Sequence, residues 1–199
     1  MVSHNLKDTF QGCLWSDLLK KDPQKQVETF LQRGFDVNAW DKHGRTMLHE
    51  VTRSVKGTAL MGFLIQNGAN IEARDSDGWT PLHIAAVNLS YTKMNFLLQN
   101  GADLEAKTVY GSNALHLVAD HQDSARFIHL LIQKGLDPTD RNKAGQTALE
   151  IAYRRNHLKS AKQIEGLYEN VYRVFLSHTP LKIATQTRSL RPLDRQRKR

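Results

Sequence analysis

Thr80-Pro81-Leu82-His83-Ile84-Ala85-Ala86 decides the reading of this chain, because its parts recur at a fixed period. The threonine position returns as Thr46, Asn113 and Thr147, and the leucine as Leu48, Leu115 and Leu149. The histidine returns as His49 and His116, with Glu150 in the last place. Two glycine series keep the same register: Gly34, Gly68, Gly101, Gly135 and Gly44, Gly78, Gly111, Gly145, each with steps of 34, 33 and 34 residues. Register marks that share one period over such a span define an array of repeated structural units.

The physical chemistry of one period predicts its shape. Pro81 suits the first turn of a helix, where its missing N–H costs nothing. Leu82, Ala85 and Ala86 give that helix a small-residue face for close packing. A second, richer helix is predicted from Met61, Leu64 and Ile65, from Met94, Leu97 and Leu98, and from Ile128, Leu131 and Ile132, all at helical spacing. The first glycine series suits a left-handed position after each second helix. Asp75-Ser76-Asp77-Gly78 is a turn-forming string. Each unit therefore reads as turn, short helix, longer helix, and no unit can bury its faces unless neighbours stack.

The heptapeptide, the period near 33 and the closing strings Gly68-Ala69-Asn70-Ile71-Glu72-Ala73 and Gly101-Ala102-Asp103-Leu104-Glu105-Ala106 resemble the ankyrin-repeat family. The resemblance covers about residues 9–168. It implies an all-α solenoid of stacked helix-turn-helix units with turn or hairpin tips. Repeats are expected at 41–74, 75–107, 108–141 and 142–168. A degenerate N-terminal half-repeat is expected at 9–40, where Leu14, Trp15, Leu18 and Leu19 suggest a capping helix, and a C-terminal capping helix near 158–177. The expected domain is thus 9–177, followed by a basic tail at 178–199 that reads as disordered. Pro138 in a closing turn, and Glu50-Val51 where two alanines are usual, depart from the family pattern.

Composition bounds the function classes. Hydrophobic residues make up 40% and charged residues 24%, close to the globular average. No apolar run approaches the roughly 20 residues of a membrane helix. The start of the chain lacks the apolar core of a secretory signal. Cys13 is the only cysteine, so no internal disulfide can form and a reducing, intracellular and cytoplasmic setting is expected. It reads as a small buried hydrophobe rather than a nucleophile. Gly-x-Ser-x-Gly, a phosphate-binding glycine loop and His-Glu-x-x-His do not occur, so no catalytic residue, metal or cofactor is expected. His49, His83 and His116 fall one per unit, too far apart to share a zinc ion, and read as structural histidines bonded to their own threonine or to nearby backbone.

The formal charge of +8 is unevenly placed. Residues 169–199 hold eight Lys/Arg against two Asp/Glu, leaving a body with a surplus of only two positive charges. The tail residues Arg191, Arg195, Arg197, Lys198 and Arg199 read as a nuclear-localisation string, an anion-binding arm or a solvated end.

In ankyrin-like folds, partner contacts come mostly from the turn tips and the inner surface of the first helices. Carried onto this register, they fall on Trp40, Lys42, His43, Arg45, Arg74, Trp79, Lys107, Tyr110, Arg141 and Lys143. Trp, Tyr and Arg dominate interface energetics. The expectation is a monomeric, non-catalytic scaffold or adaptor, binding a protein with an acidic surface through a basic, aromatic concave face. Nucleic acid or an anionic membrane, bound by the tail, is the alternative. A third reading is an exported effector recruiting a host protein in the host cytosol, should the source be an intracellular bacterium. Asn38, in Asp36-Val37-Asn38-Ala39, resembles the asparagine hydroxylated in some ankyrin proteins and otherwise reads as a turn residue.

Overall fold

The computed structural model describes residues 22–54 and 57–167. The expectations for Cys13, for the N-terminal capping helix, for the chain from 168 to 177 and for the basic tail lie outside those residues.

Helix α1 is Pro23–Gln32. Pairs follow: α2 Met47–Arg53 with α3 Thr58–Gln66, α4 Pro81–Val87 with α5 Tyr91–Gln99, and α6 Ala114–Ala119 with α7 Ala125–Gln133. After these come α8 Ala148–Arg154 and α9, which occupies 158–167 of the described chain. The first helices of the pairs stack α2 on α4 on α6 on α8, and the second helices pack against them as an outer layer. The described chain is helical, and its extended pairing is confined to one isolated bridge between Trp40 and Thr46. Among the described residues no helix is long and apolar enough to cross a membrane.

The heptapeptide explains the inner layer. Pro81 begins α4, as its fixed φ and missing donor favour. Ala85 and Ala86 are fully buried, and their small side chains let α4 lie close to both α2 and α6. Leu48, Leu82 and Leu115 are buried at the same place in successive units, whereas Leu149 is only partly covered. Met61, Leu64, Met94, Leu97, Ile128 and Leu131 carry the core from the second-helix side, all fully buried. Gly34, Gly68, Gly101 and Gly135 follow the second helices with φ of 81°, 86°, 89° and 106°, the left-handed position that ends a helix.

Candidate protein-interaction site

Each unit begins with the same turn. Asp41, Asp75, Thr108 and Asn142 open it, and their carbonyls accept from Gly44, Gly78, Gly111 and Gly145, each at 2.9 Å. Asp75 Oδ1 also accepts from the amides of Asp77 and Trp79 (3.0 and 2.9 Å), so the side chain holds the tip in shape. The tips are then joined in series. Ser76 N–H donates to the His43 carbonyl (3.0 Å), Val109 to Asp77 (3.1 Å) and Lys143 to Tyr110 (2.9 Å). Glycine is needed here for two reasons. Gly44, Gly78 and Gly111 sit at φ of 73°, 73° and 72°, and a Cβ on each would stand 2.9–3.0 Å from the backbone nitrogen of the next tip.

This ladder puts His43, Tyr110 and Lys143 in one row. Trp40 flanks the first tip at 68% exposure, and Tyr110 projects at 62%. Trp79 differs: it is half-buried, its ring set edge-on to His83 with centroids 6.4 Å apart. Trp40 and Arg74 share a concavity of about 490 Å³ with Asn38, Asn70 and Ser76.

The predicted cations divide into two groups. Lys42 and Lys143 are exposed and make no side-chain hydrogen bond or ion pair among the described residues, and neither does exposed His43. The others work within the stack. Arg74 Nη1 donates to the carbonyls of Lys107 (2.7 Å) and Gly78 (3.3 Å), stapling one unit to the next. Lys107 Nζ pairs with Asp140 at 3.0 Å, Arg141 with Glu150 at 3.1 Å, and Arg45 with Asp75 at 3.8 Å. The partners of Arg45 and Lys107, and the Lys107 carbonyl that Arg74 meets, arrive by stacking and are not revealed by the local sequence, whereas Arg141 and Glu150 are only nine residues apart.

The repeated histidines carry the connection inward. Backbone N–H of Thr46 donates to His49 Nδ1 (3.1 Å), so that nitrogen is an acceptor and the ring proton sits on Nε2. Nε2–H then donates to the Trp79 carbonyl of the next unit (3.0 Å). His83 repeats this with Thr80 and the Ala106 carbonyl (both 3.0 Å), and His116 Nε2 reaches the Gln146 carbonyl at 3.0 Å. Burial pushes the pKa of all three down, that of His83 to about 4, although the bonds to carbonyls oppose it. Glu150 keeps only the local half of the arrangement, accepting from Thr147 N–H at 3.0 Å. Among the described residues no three His, Cys, Asp or Glu converge as a metal site. Asn38 is also structural here: its amide donates to the Gly68 carbonyl (2.9 Å) and accepts from Asn70 N–H (2.7 Å).

Lys93 was not anticipated. It lies in the first turn of α5 and is buried, and Nζ donates to the carbonyls of Val51 (3.0 Å), Thr52 (2.8 Å) and Ser54. Burial pulls its pKa below the ordinary lysine value, while those three acceptors favour the charged form. The signal available in the sequence was a lone cation in an otherwise uncharged helix, Tyr91-Thr92-Lys93-Met94-Asn95-Phe96-Leu97-Leu98-Gln99.

A stacked array of helix pairs tied through tip glycines and capping histidines defines a class of repeat protein, and comparison with known proteins agrees. The family model for ankyrin repeats (3 copies) matches residues 19–108. A Notch-regulated ankyrin repeat-containing protein of Xenopus tropicalis is 32% identical over 78 residues, covering 37% of this chain and 67% of that protein. An ankyrin repeat protein of Rickettsia felis is 34% identical over 94 residues, 44% of this chain. The mouse NF-kappa-B inhibitor delta is 28% identical over 153 residues, 76% of this chain. The chain spans a quarter of the Rickettsia protein's length and 42% of the mouse protein's. The chain belongs to the ankyrin-repeat family, whose members typically serve as non-catalytic modules for protein–protein interaction.

Proposed function

We propose that this chain is a non-catalytic adaptor that holds a protein with an acidic surface against its row of turn tips and the adjoining inner-helix face. The observation that carries this reading is the exposure of two large aromatics, Trp40 at 68% and Tyr110 at 62%, on a tip row that hydrogen bonds hold rigid. Rigid aromatics lose little entropy on binding and concentrate interface energy. Lys42, His43 and Lys143 supply donors beside them that are unpaired among the described residues, and the exposed part of Arg74 adds a cation with no carboxylate partner there. Trp79, Arg45, Lys107 and Arg141 complete the surface mainly by holding its shape.

The reading takes the domain as 9–177 with a separate basic tail at 178–199, acting as a monomer inside the cell, in the cytoplasm with nuclear entry through the tail. The similarity to an NF-kappa-B inhibitor and to Notch-regulated ankyrin proteins supports an adaptor role without naming a partner. Affinity capture with the full chain, compared with Trp40→Ala/Tyr110→Ala and Lys42→Glu/Lys143→Glu, tests it. Acidic proteins captured by wild type should bind each double variant at least about tenfold more weakly. Undiminished capture by both rejects the tip surface.

A further inference from the structure

The outer, second-helix layer carries a different feature. Tyr91 opens α5, Arg126 lies in the first turn of α7, His129 follows one turn later, and Gln163 comes from α9. Together with Ala125 these residues line a concavity of about 530 Å³. The Arg126 guanidinium carbon sits 4.7 Å from the centroid of the Phe127 ring and 5.8 Å from that of Tyr91. The two rings are themselves 6.1 Å apart at 60°. Aromatic faces thus hold the guanidinium in place, and its N–H edges have no carboxylate partner among the described residues.

The lining offers hydrogen-bond donors: guanidinium, imidazole, side-chain amide and phenol. Among the described residues no carboxylate belongs to it. Asp123, in the turn before α7 and three residues from Arg126, does not line it. Glu165 of α9 is engaged by the Tyr153 hydroxyl at 2.5 Å. Lys159, one turn before Gln163, falls on the same face of α9 by helical spacing and is exposed.

We infer that this concavity is a binding site for the phosphoryl group of a phosphorylated protein segment. A carboxylate is a monoanion that one arginine fork satisfies. Here an orientated arginine and a histidine line one space, with Lys159 one helical turn from the lining Gln163, and this arrangement suits a group of nearly two negative charges with three acceptor oxygens. The space is larger than a bare phosphate, and the Tyr91 ring, 39% exposed, walls it, leaving room for the side chain that bears the phosphate. The site shares no residue with the tip surface, so it stands whether or not that surface binds a partner.

Isothermal titration of the full chain with a phosphothreonine peptide, the same peptide carrying glutamate, and inorganic phosphate tests the assignment. The phosphopeptide should bind at least about tenfold more tightly than either control. Arg126→Gln should lose roughly tenfold or more, Arg126→Lys should recover only part of that, and Trp40→Ala should bind as wild type. Equal binding of the glutamate peptide overturns the phosphoryl assignment. Equal binding of inorganic phosphate overturns the protein-borne ligand. Unchanged affinity in both Arg126 variants, with thermal midpoints matching wild type, overturns the site; should Arg126→Gln unfold, the Arg126→Lys result decides.

Discussion

Gly44 and Gly145 share a backbone conformation, with φ of 73° and 74°, yet their surroundings differ. A Cβ at Gly44 would stand 2.9 Å from Ser76 N, whereas one at Gly145 meets nothing within 4 Å. The pair therefore separates two costs that the sequence writes with one letter. Gly145→Ala carries only left-handed strain, about 1–2 kcal/mol. Gly44→Ala adds a clash with the neighbouring tip, and should cost at least about 1 kcal/mol more. Urea denaturation of the two variants checks the difference, and equal midpoints would show that the tips are not in close contact. The predicted cations teach a related lesson. Arg74, Lys107 and Arg141 read as a field along a groove, but a carbonyl at 107, a carboxylate at 140 and one at 150 claim them. Arg74 and Lys107 meet partners 33 residues away, a distance that only stacking closes.

At the scale of the element, the short first helices depend on what meets their ends. Thr80 caps α4 by accepting from His83 N–H, and Thr147 does the same for α8 through Glu150 N–H. The C-terminal end of α2 is served differently, by Lys93 reaching across from α5 to the carbonyls of Val51, Thr52 and Ser54. A positive charge at a helix C-terminus is favoured by the aligned peptide dipoles. Lys93→Met keeps the apolar stem and removes the donors, leaving buried carbonyls without this partner. The expected loss is about 2 kcal/mol, read as a lower urea midpoint. Loss of α2–α3 amide protection before that of α6–α7, followed by hydrogen exchange, would place the damage in the capped helix. Undiminished stability would show that solvent serves those carbonyls equally well.

Across the whole molecule, His49, His83 and His116 form a series in which each joins one unit to the next. Burial lowers all three pKa values, so the unfolded chain binds more protons than the folded one once pH drops below the unfolded histidine value of about 6.5. Stability is accordingly complete above that pH and falls as acid is added, through a window that for His83 extends down to about pH 4. Protonation would place a proton on Nδ1, where Thr80 N–H now donates, so acid strains the cap and charges a buried ring, while Nε2–H still donates to the Ala106 carbonyl. For His83 alone the loss across the window is on the order of 3 kcal/mol. Urea midpoints measured from pH 7.5 to pH 4 should decline, with a shallower slope in His83→Gln. A flat profile would contradict neutral, buried histidines.

The period, the helix-pair unit and the stacking were written in the sequence, because the turn glycine and the capping threonine or asparagine answer a local demand in every unit, histidine recurs in three of them, and Pro81 marks the first turn of one. A left-handed turn, an N-cap and a first-turn φ are decided within a few residues, so spacing alone exposes them. Which tip aromatics stand in solvent, which cations stay unpaired, and where Lys93 and Arg126 point were decided only by tertiary structure. Those outcomes depend on contacts between units roughly one period apart. The chain's local chemistry is the same whether a guanidinium meets a carbonyl of the next unit, an aromatic face or water.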